Sequence, residues 1–410
     1  MNDFLSRRDL FRMSGLIAVG LTSPRWLSSI AKADLIRQAT GGKRLKDTVL
    51  VVCQLSGGND GLNTVIPYAR AEYRQLRPTL GIPEEQVLKL DDNLGLHPGL
   101  SGFAELFKQG KVAIVQGVGY PRPDRSHFSS MDIWQSGGRD TPRYGWLGRH
   151  ADGELKSGKF NPVYAIGLST DRPRALHAKD ARIPCFASLT DIQSMIGDPD
   201  VERMLRQIQG PPAKEGSPER VVQQANIAAF DAMSELNKRL SQFTPAEQYG
   251  NDAFGNGFRQ IAQLLATSPA TRIVYFSAGG FDTHARQADA HQRLLSTFSA
   301  GVSAFQREIE KIGIADNVVV LVFSEFGRRS YENASGGTDH GAAGPMFLIG
   351  KRVKGGFHGP IPDLNDLQNG DLKFSIDFRQ VYAATLDQWL GGDSKTVLGE
   401  AFTPLGVYGA

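Results

Sequence analysis

"DTVLVVCQL" (residues 47–55) is an almost unbroken apolar run rich in valine. A strand with one wet face would alternate apolar and polar side chains. This run does not alternate, so it predicts a strand buried on both faces, as in a sheet covered by helices on each side. "KVAIVQGVG" (111–119), "TRIVYFSAGG" (271–280) and "DNVVVLVFSEFG" (316–327) read the same way, and "NPVYAIGL" (161–168) and "GPMFLIG" (344–350) are weaker versions. Helical patterns lie between them at 99–109, 218–240, 251–267, 292–313 and 377–391. Alternating buried strands and helices predict an α/β fold: a three-layer α/β/α sandwich with a mostly parallel central sheet. Residues 34–410 read as one domain. The segment 195–267 reads as helical, an insertion on one flank, and "GPPAKEGSPE" (210–219) as a flexible joint.

In open sheets of this kind, ligands bind beyond the carboxyl ends of the strands. After 47–55 comes "SGGNDGLNT", with Asp60. After 271–280 come Asp282 and His284, and Glu325 closes the run 316–327. "ENASGGTDHGAAGP" presents Asp339 and His340 just before 344–350. For His340 to reach the same end of the sheet, 344–350 must run antiparallel to its neighbours. Carboxylates gathered at one dry edge raise each other's pKa unless a cation stands among them. Asp60, Asp282, His284, Glu325, Asp339 and His340 are therefore candidate ligands of a divalent metal. Mixed imidazole and carboxylate donors suit Zn²⁺ or Mn²⁺ better than Mg²⁺. Each pair taken alone also fits ordinary loop hydrogen bonding.

After 111–119 comes "YPRPDRSHFSSMDIWQSG". Ser126 falls where the loop turns into a helical pattern. It reads either as a plain helix cap, with Ser129 and Asp132 as a rival capping box, or as a nucleophile whose hydroxyl is activated by the helix start and a nearby metal. Arg125 could grip a phosphate or sulfate oxygen in bidentate fashion, and His127 adjoins both. His97, His150, His177, His291 and His358 follow no such positional rule. No G-x-G-x-x-G, no P-loop lysine and no G-x-S-x-G elbow appears.

The first residues, "MNDFLSRRDLFRMSGLIAVGLTSPRWLSSIAKA", join Arg7 and Arg8 to a short apolar run and an A-x-A site at Ala33. This reads as a secretory signal over residues 1–33 of the twin-arginine type, too short for a stable membrane anchor. Its partner would be the twin-arginine translocase, and its destination the periplasm or the exterior. The full chain carries 46 basic and 43 acidic residues, of which five and two fall in 1–33, leaving 41 of each. The remainder is neutral, which gives no argument for nucleic acid. Cys53 and Cys185, the two cysteines, both lie in apolar runs and read as buried thiols, with a disulfide as the other option.

The twin-arginine start, "LSGGNDGLNTVIPY", "RSHFSSMDIWQSG", "GGFDTH", "SEFGRR" and "TDHGAAGPMFLIG", in this order, resemble a domain-of-unknown-function family of exported bacterial proteins. That family is similar to the alkaline phosphatase and sulfatase superfamily. The resemblance implies an alkaline-phosphatase-like sandwich and a metal site for phosphoryl or sulfuryl transfer, acting on a small-molecule or glycan ester. It implies Asp60 as an early metal aspartate, Ser126 as nucleophile, Asp282 and His284 as a metal pair, and His340 as the last metal histidine. Glu325 stands where the superfamily ends a strand in an aspartate–histidine pair. "SEF" at 324–326 has no histidine, so the expectation is one or two ions. No C-x-P-x-R or S-x-P-x-R appears, which argues against a formylglycine sulfatase.

Overall fold

The computed structural model describes residues 48–138, 143–161, 163–190, 203 and 237–409. The expected signal, the joint at 210–219 and most of the helical segment before residue 253 lie outside them. Among the described residues nine strands form the central sheet: β1 (Val49–Leu55), β2 (Val112–Gly119), β3 (Ala165–Leu168), β4 (Cys185–Phe186), β5 (Ile273–Ala278), β6 (Val318–Phe323), β7 (Gly344–Ile349), β8 (Gly356–His358) and β9 (Ile376–Asp377). Their order is β8-β2-β7-β6-β1-β5-β3-β4, with β9 also pairing β2. β1 pairs in parallel with β5 and β6. β7 runs antiparallel to both β2 and β6, as the position of His340 requires.

β1 is buried along its whole length. Its side chains divide by pleat. Val49, Val51, Cys53 and Leu55 enter one core with Phe254, Phe258, Phe298 and Phe305. Leu50 and Val52 enter the other with Trp134, Trp146 and Tyr382. The first core is roofed by α2 (Ser101–Lys108), α5 (Ala253–Thr267) and α6 (Gln287–Lys311), which follow α1 (Ala71–Leu76) of a small lateral lobe. The second is roofed by α3 (His127–Ser136), α4 (Trp146–Lys156) and α7 (Phe378–Ala384). Two separate cores on the two faces of one sheet make the three-layer sandwich.

α6 starts five residues before the expected 292, which brings Gln287 and His291 onto buried helical positions. The described end of segment 195–267, α5, contributes Phe254 and Phe258 to a main core and packs edge-on against β5 through Phe258 and Phe276, 5.0 Å apart. Both cysteines are free thiols, Cys53 buried and Cys185 half-buried. They lie on β1 and β4, with β5 and β3 between them.

Candidate metal centre

β1, β2, β5 and β6 end on one edge of the sheet, and β7 begins there. The loops at that edge approach so closely that glycine is needed. Gly57 has φ 120°, and a Cβ on it would lie 2.4 Å from the Asp282 backbone nitrogen. A Cβ on Gly337 would lie 2.2 Å from the carbonyl carbon of His284. These approaches bring residues near 57, 127, 282, 325 and 340 into one cluster.

Three imidazoles meet a carboxylate there. His340 Nδ1–H donates to the Arg125 carbonyl at 2.7 Å. A carbonyl only accepts, so Nδ1 carries a proton, and in the neutral ring the Nε2 lone pair is bare. His127 Nδ1 is 2.8 Å from Glu325 Oε1, and His284 Nδ1 is 3.1 Å from Asp339 Oδ1. Both carboxylates fix the same tautomer. The Nε2 atoms of His284 and His340 are each 3.0 Å from Asp282 Oδ1 and 2.9 Å from one another. His127 Nε2 is 3.5 Å from Asp282 Oδ2, buried, and without any hydrogen-bond partner among the described residues. Three ring lone pairs and a carboxylate thus converge with no proton to share. A cation stabilises such a set, either an added proton, giving an imidazolium, or a metal ion.

The donor set fits a metal. Ligand bonds of about 2.0–2.1 Å place tetrahedral donors about 3.3 Å apart, and the spacings here bracket that value. Donor atoms of His127, Asp282 and His340 all lie within 4.8 Å of one another, which makes these three a possible metal site. Each ring has an oxygen behind its Nδ1–H, the arrangement that orients metal-bound histidines.

Electrostatics hold the site charged. Burial opposes the charge on Asp282, but the hydrogen-bonded Arg328 guanidinium brings its carboxyl well below the usual carboxylate range. The Arg328 side chain is fully buried and donates to Asp282 Oδ1 at 2.7 Å and to the carbonyls of Gly58, Thr338 and Phe281 at 2.7, 2.8 and 2.9 Å. One guanidinium therefore ties three loops to the central carboxylate. The Glu325 hydrogen bond raises the His127 pKa above the ordinary histidine value, against the effect of burial. Asn333 first, and then His284, lower that of Asp339.

The expected ligands therefore divide. Asp282, His284 and His340 come together. Glu325 and Asp339 stand one shell back: buried Glu325 also accepts from Gly57 N–H at 2.8 Å. Asp60 does not join the cluster. Its two oxygens take the Arg77 fork, at 2.5 and 3.0 Å, and a hydrogen bond from Gln287. Burial opposes its charge, and the Arg77 guanidinium brings its pKa down to about 2. His127, expected beside the nucleophile, contributes a ring nitrogen instead. Its only sequence signal is adjacency to Ser126.

Ser126 is the exposed N-cap of α3, and its side chain makes no cap bond. Its backbone N–H donates to Asp124 Oδ1 at 2.9 Å. Ser130 lies buried behind it, its hydroxyl donating to the Glu325 carbonyl. The Arg125 guanidinium is turned onto Asp371, with Nε 2.9 Å from Oδ2, while its carbonyl serves His340. Arg77, Gln287 and Arg328 complete the surroundings, and no spacing in the sequence marks the first two.

Residues 46–400 match the family described as "Protein of unknown function (DUF1501)". No curated protein matches the chain. Among solved structures, the chain is similar to a protein in the alkaline phosphatase superfamily from Vibrio parahaemolyticus, with 9% identity, 87% of this chain and 70% of that one covered, and a TM-score of 0.39. It is similar to the C-terminal periplasmic domain of EcEptC from Escherichia coli in complex with Zn (9% identity, 75% and 75% covered, TM-score 0.36). It is also similar to alkaline phosphatase from the Antarctic bacterium TAB5 (12% identity, 75% and 92% covered, TM-score 0.33).

Proposed function

The chain belongs to the DUF1501 family, and from the geometry of its site we propose that it is a metal-dependent hydrolase of phosphate or sulfate esters. The observation that carries the reading is the convergence of the bare Nε2 atoms of His127, His284 and His340 on Asp282. Nitrogen-rich donors favour Zn²⁺ or Mn²⁺ over Mg²⁺. These four residues would hold the ion, with Glu325, Asp339 and the Arg125 carbonyl orienting the rings.

A divalent cation held there supplies Lewis acidity toward the oxygens of the ester. Ser126 offers an exposed hydroxyl one residue from His127, at the start of α3. The first amide N–H groups of a helix lack intrahelical partners and favour an anion. In this reading Ser126 Oγ would lose its proton to solvent and bond to phosphorus or sulfur as the bond to the ester oxygen breaks and that oxygen takes a proton from water. A second water would then attack the phosphorus or sulfur, and the serine would leave as its hydroxyl. Arg328 keeps Asp282 ionised and fixed throughout. The substrate would be a small-molecule or glycan ester. Export by the twin-arginine translocase to the periplasm or exterior belongs to the same reading and rests on residues 1–33. No helix of the described residues is long and apolar enough to cross a membrane.

The second reading is a non-catalytic protein that keeps the metal for stability or partner binding. The pairing of the Arg125 Nε and Nη2 groups with Asp371, which takes up the face that would grip a transferring group, favours it. Elemental mass spectrometry of the purified protein, followed by turnover of aryl phosphates and sulfates by wild type and Ser126→Ala, separates the two. Bound metal with serine-dependent turnover supports the hydrolase. Turnover that survives Ser126→Ala removes the serine from the role, and bound metal with no turnover on any ester favours the second reading.

A further inference from the structure

Asp371 follows a two-residue turn, Asn369 and Gly370, whose φ values of 54° and 81° match the tight hairpin type with both central residues left-handed. Ser330 staples this turn to the edge of the site: its N–H and hydroxyl both donate to the Gly370 carbonyl, at 3.3 and 2.8 Å. The hairpin thereby inserts the Asp371 carboxylate between two guanidiniums. Arg125 reaches Oδ2, and Arg329 Nη1 lies 3.5 Å from Oδ1. Asp371 is buried, and its Oδ1 has no hydrogen-bond partner among the described residues. Burial pushes its carboxyl above the ordinary value in spite of both arginines.

Two fixed cations share one carboxylate, which leaves a net charge of +1. Both belong to the metal cluster's own backbone. The Arg125 carbonyl holds His340, and the Arg329 N–H donates to the Asp339 carbonyl at 3.0 Å. Both guanidiniums are ordered before any ligand arrives. Arg329 donates to the Asn369 carbonyl and lies 5.5 Å over the Tyr331 ring. Arg125 Nη1 and Arg329 Nε and Nη2 have no partner among the described residues. The Arg125 side chain is 38% exposed. Pre-oriented, partly wet guanidinium donors beside a metal cluster are suited to an oxyanion.

We propose that Arg125 and Arg329, braced by Asp371, form a second anion subsite that selects esters carrying a further acidic group on the organic part. The proposal rests on the hydrolase reading and names its substrate class: a phosphate or sulfate ester that also bears a carboxylate, phosphate or sulfate. Asp371 sets the spacing of the two guanidiniums.

The test is calorimetric binding to the metal-loaded protein of methylphosphonate, which has one acidic group, and 3-phosphonopropionate, which adds a carboxylate. The expected result is about tenfold tighter binding of the second ligand, a ratio that collapses toward one in both Arg329→Gln and Arg125→Gln. The two variants guard against one of them disturbing the fold, which thermal melting and metal content report. Equal affinity of the two ligands in wild type overturns the subsite and leaves the hydrolase reading standing. A preference that survives in both variants assigns the carboxylate to the metal and also overturns the subsite. Binding of neither ligand overturns the hydrolase reading and the subsite together.

Discussion

The Nε2 atoms of His284 and His340 lie 2.9 Å apart while the Nδ1 atom of each ring is already spent on an oxygen, Asp339 Oδ1 for one and the Arg125 carbonyl for the other. Two bare lone pairs at that distance repel unless a cation lies between them. A metal-free preparation should therefore gain stability on addition of Zn²⁺. At a free concentration one hundred times the dissociation constant the gain is about 2.7 kcal/mol, read as a rise in melting temperature that EDTA reverses. His340→Ala should lose that rise and its bound metal; a melting temperature that ignores zinc would remove the metal centre.

Glu325 stands behind the candidate metal centre, on His127 Nδ1 and on the Gly57 N–H. Glu325→Gln keeps the shape but weakens the acceptor behind Nδ1. Loss of such an outer partner typically costs about 10–100-fold in metal affinity. Competition with a chromogenic chelator would measure it. An unchanged affinity would mean that the Glu325–His127 contact, 2.8 Å in this structure, does not tune the ring.

Gly57 touches no ligand side chain, yet it sets where Asp282 lies. At φ 120° an L residue is strained, and the added Cβ would meet the Asp282 nitrogen at 2.4 Å. Gly57→Ala should cost about 1–3 kcal/mol of stability and lower metal affinity at the same time. Gly313 is the control. It also has positive φ, 73°, but nothing lies near its Cβ position, so Gly313→Ala should cost stability and leave metal affinity alone.

Asp60 and Arg77 form a buried ion pair. Removing one partner strands the other charge, so Asp60→Ala or Arg77→Met should cost about 3–5 kcal/mol by chemical denaturation. The folded pKa of Asp60, about 2, lies below its unfolded value of about 3.9. Its contribution is therefore complete above pH 4 and lost as pH falls toward 2.

His97 and His291 lie buried beneath the site with ring centroids 5.6 Å apart. Burial lowers their pKa values to about 3 and about 4, below the unfolded value of about 6.5. Between pH 6.5 and 4 the unfolded chain binds protons that the folded chain refuses, so stability falls as pH drops. Each histidine contributes up to about 1.4 kcal/mol per pH unit. His291→Gln should flatten the slope of stability against pH in that window, measured by urea unfolding. An unchanged slope would mean that His291 is protonated in the fold.

The local pattern of the chain determined the layers and the edge. A run such as Val49–Leu55 has no polar face to show water, so it can only be a strand covered on both sides. Residues that follow several such strands must then share one edge. That placed Asp282, His284, Glu325 and His340 together and required Gly344–Ile349 to run backwards. Tertiary structure alone decided which groups touch the centre. Asp60 follows the positional rule as well as Asp282 does, but Arg77, seventeen residues on, closes over it. His127 looked like a neighbour of the serine, until the depth of α3 turned its ring inward over Glu325. Position along a strand depends on short-range patterning and is legible in one dimension. A side chain's partner depends on distances of a few tenths of an ångström between segments hundreds of residues apart, such as Arg328 and Gly58, separated by 270 positions, and only packing fixes those.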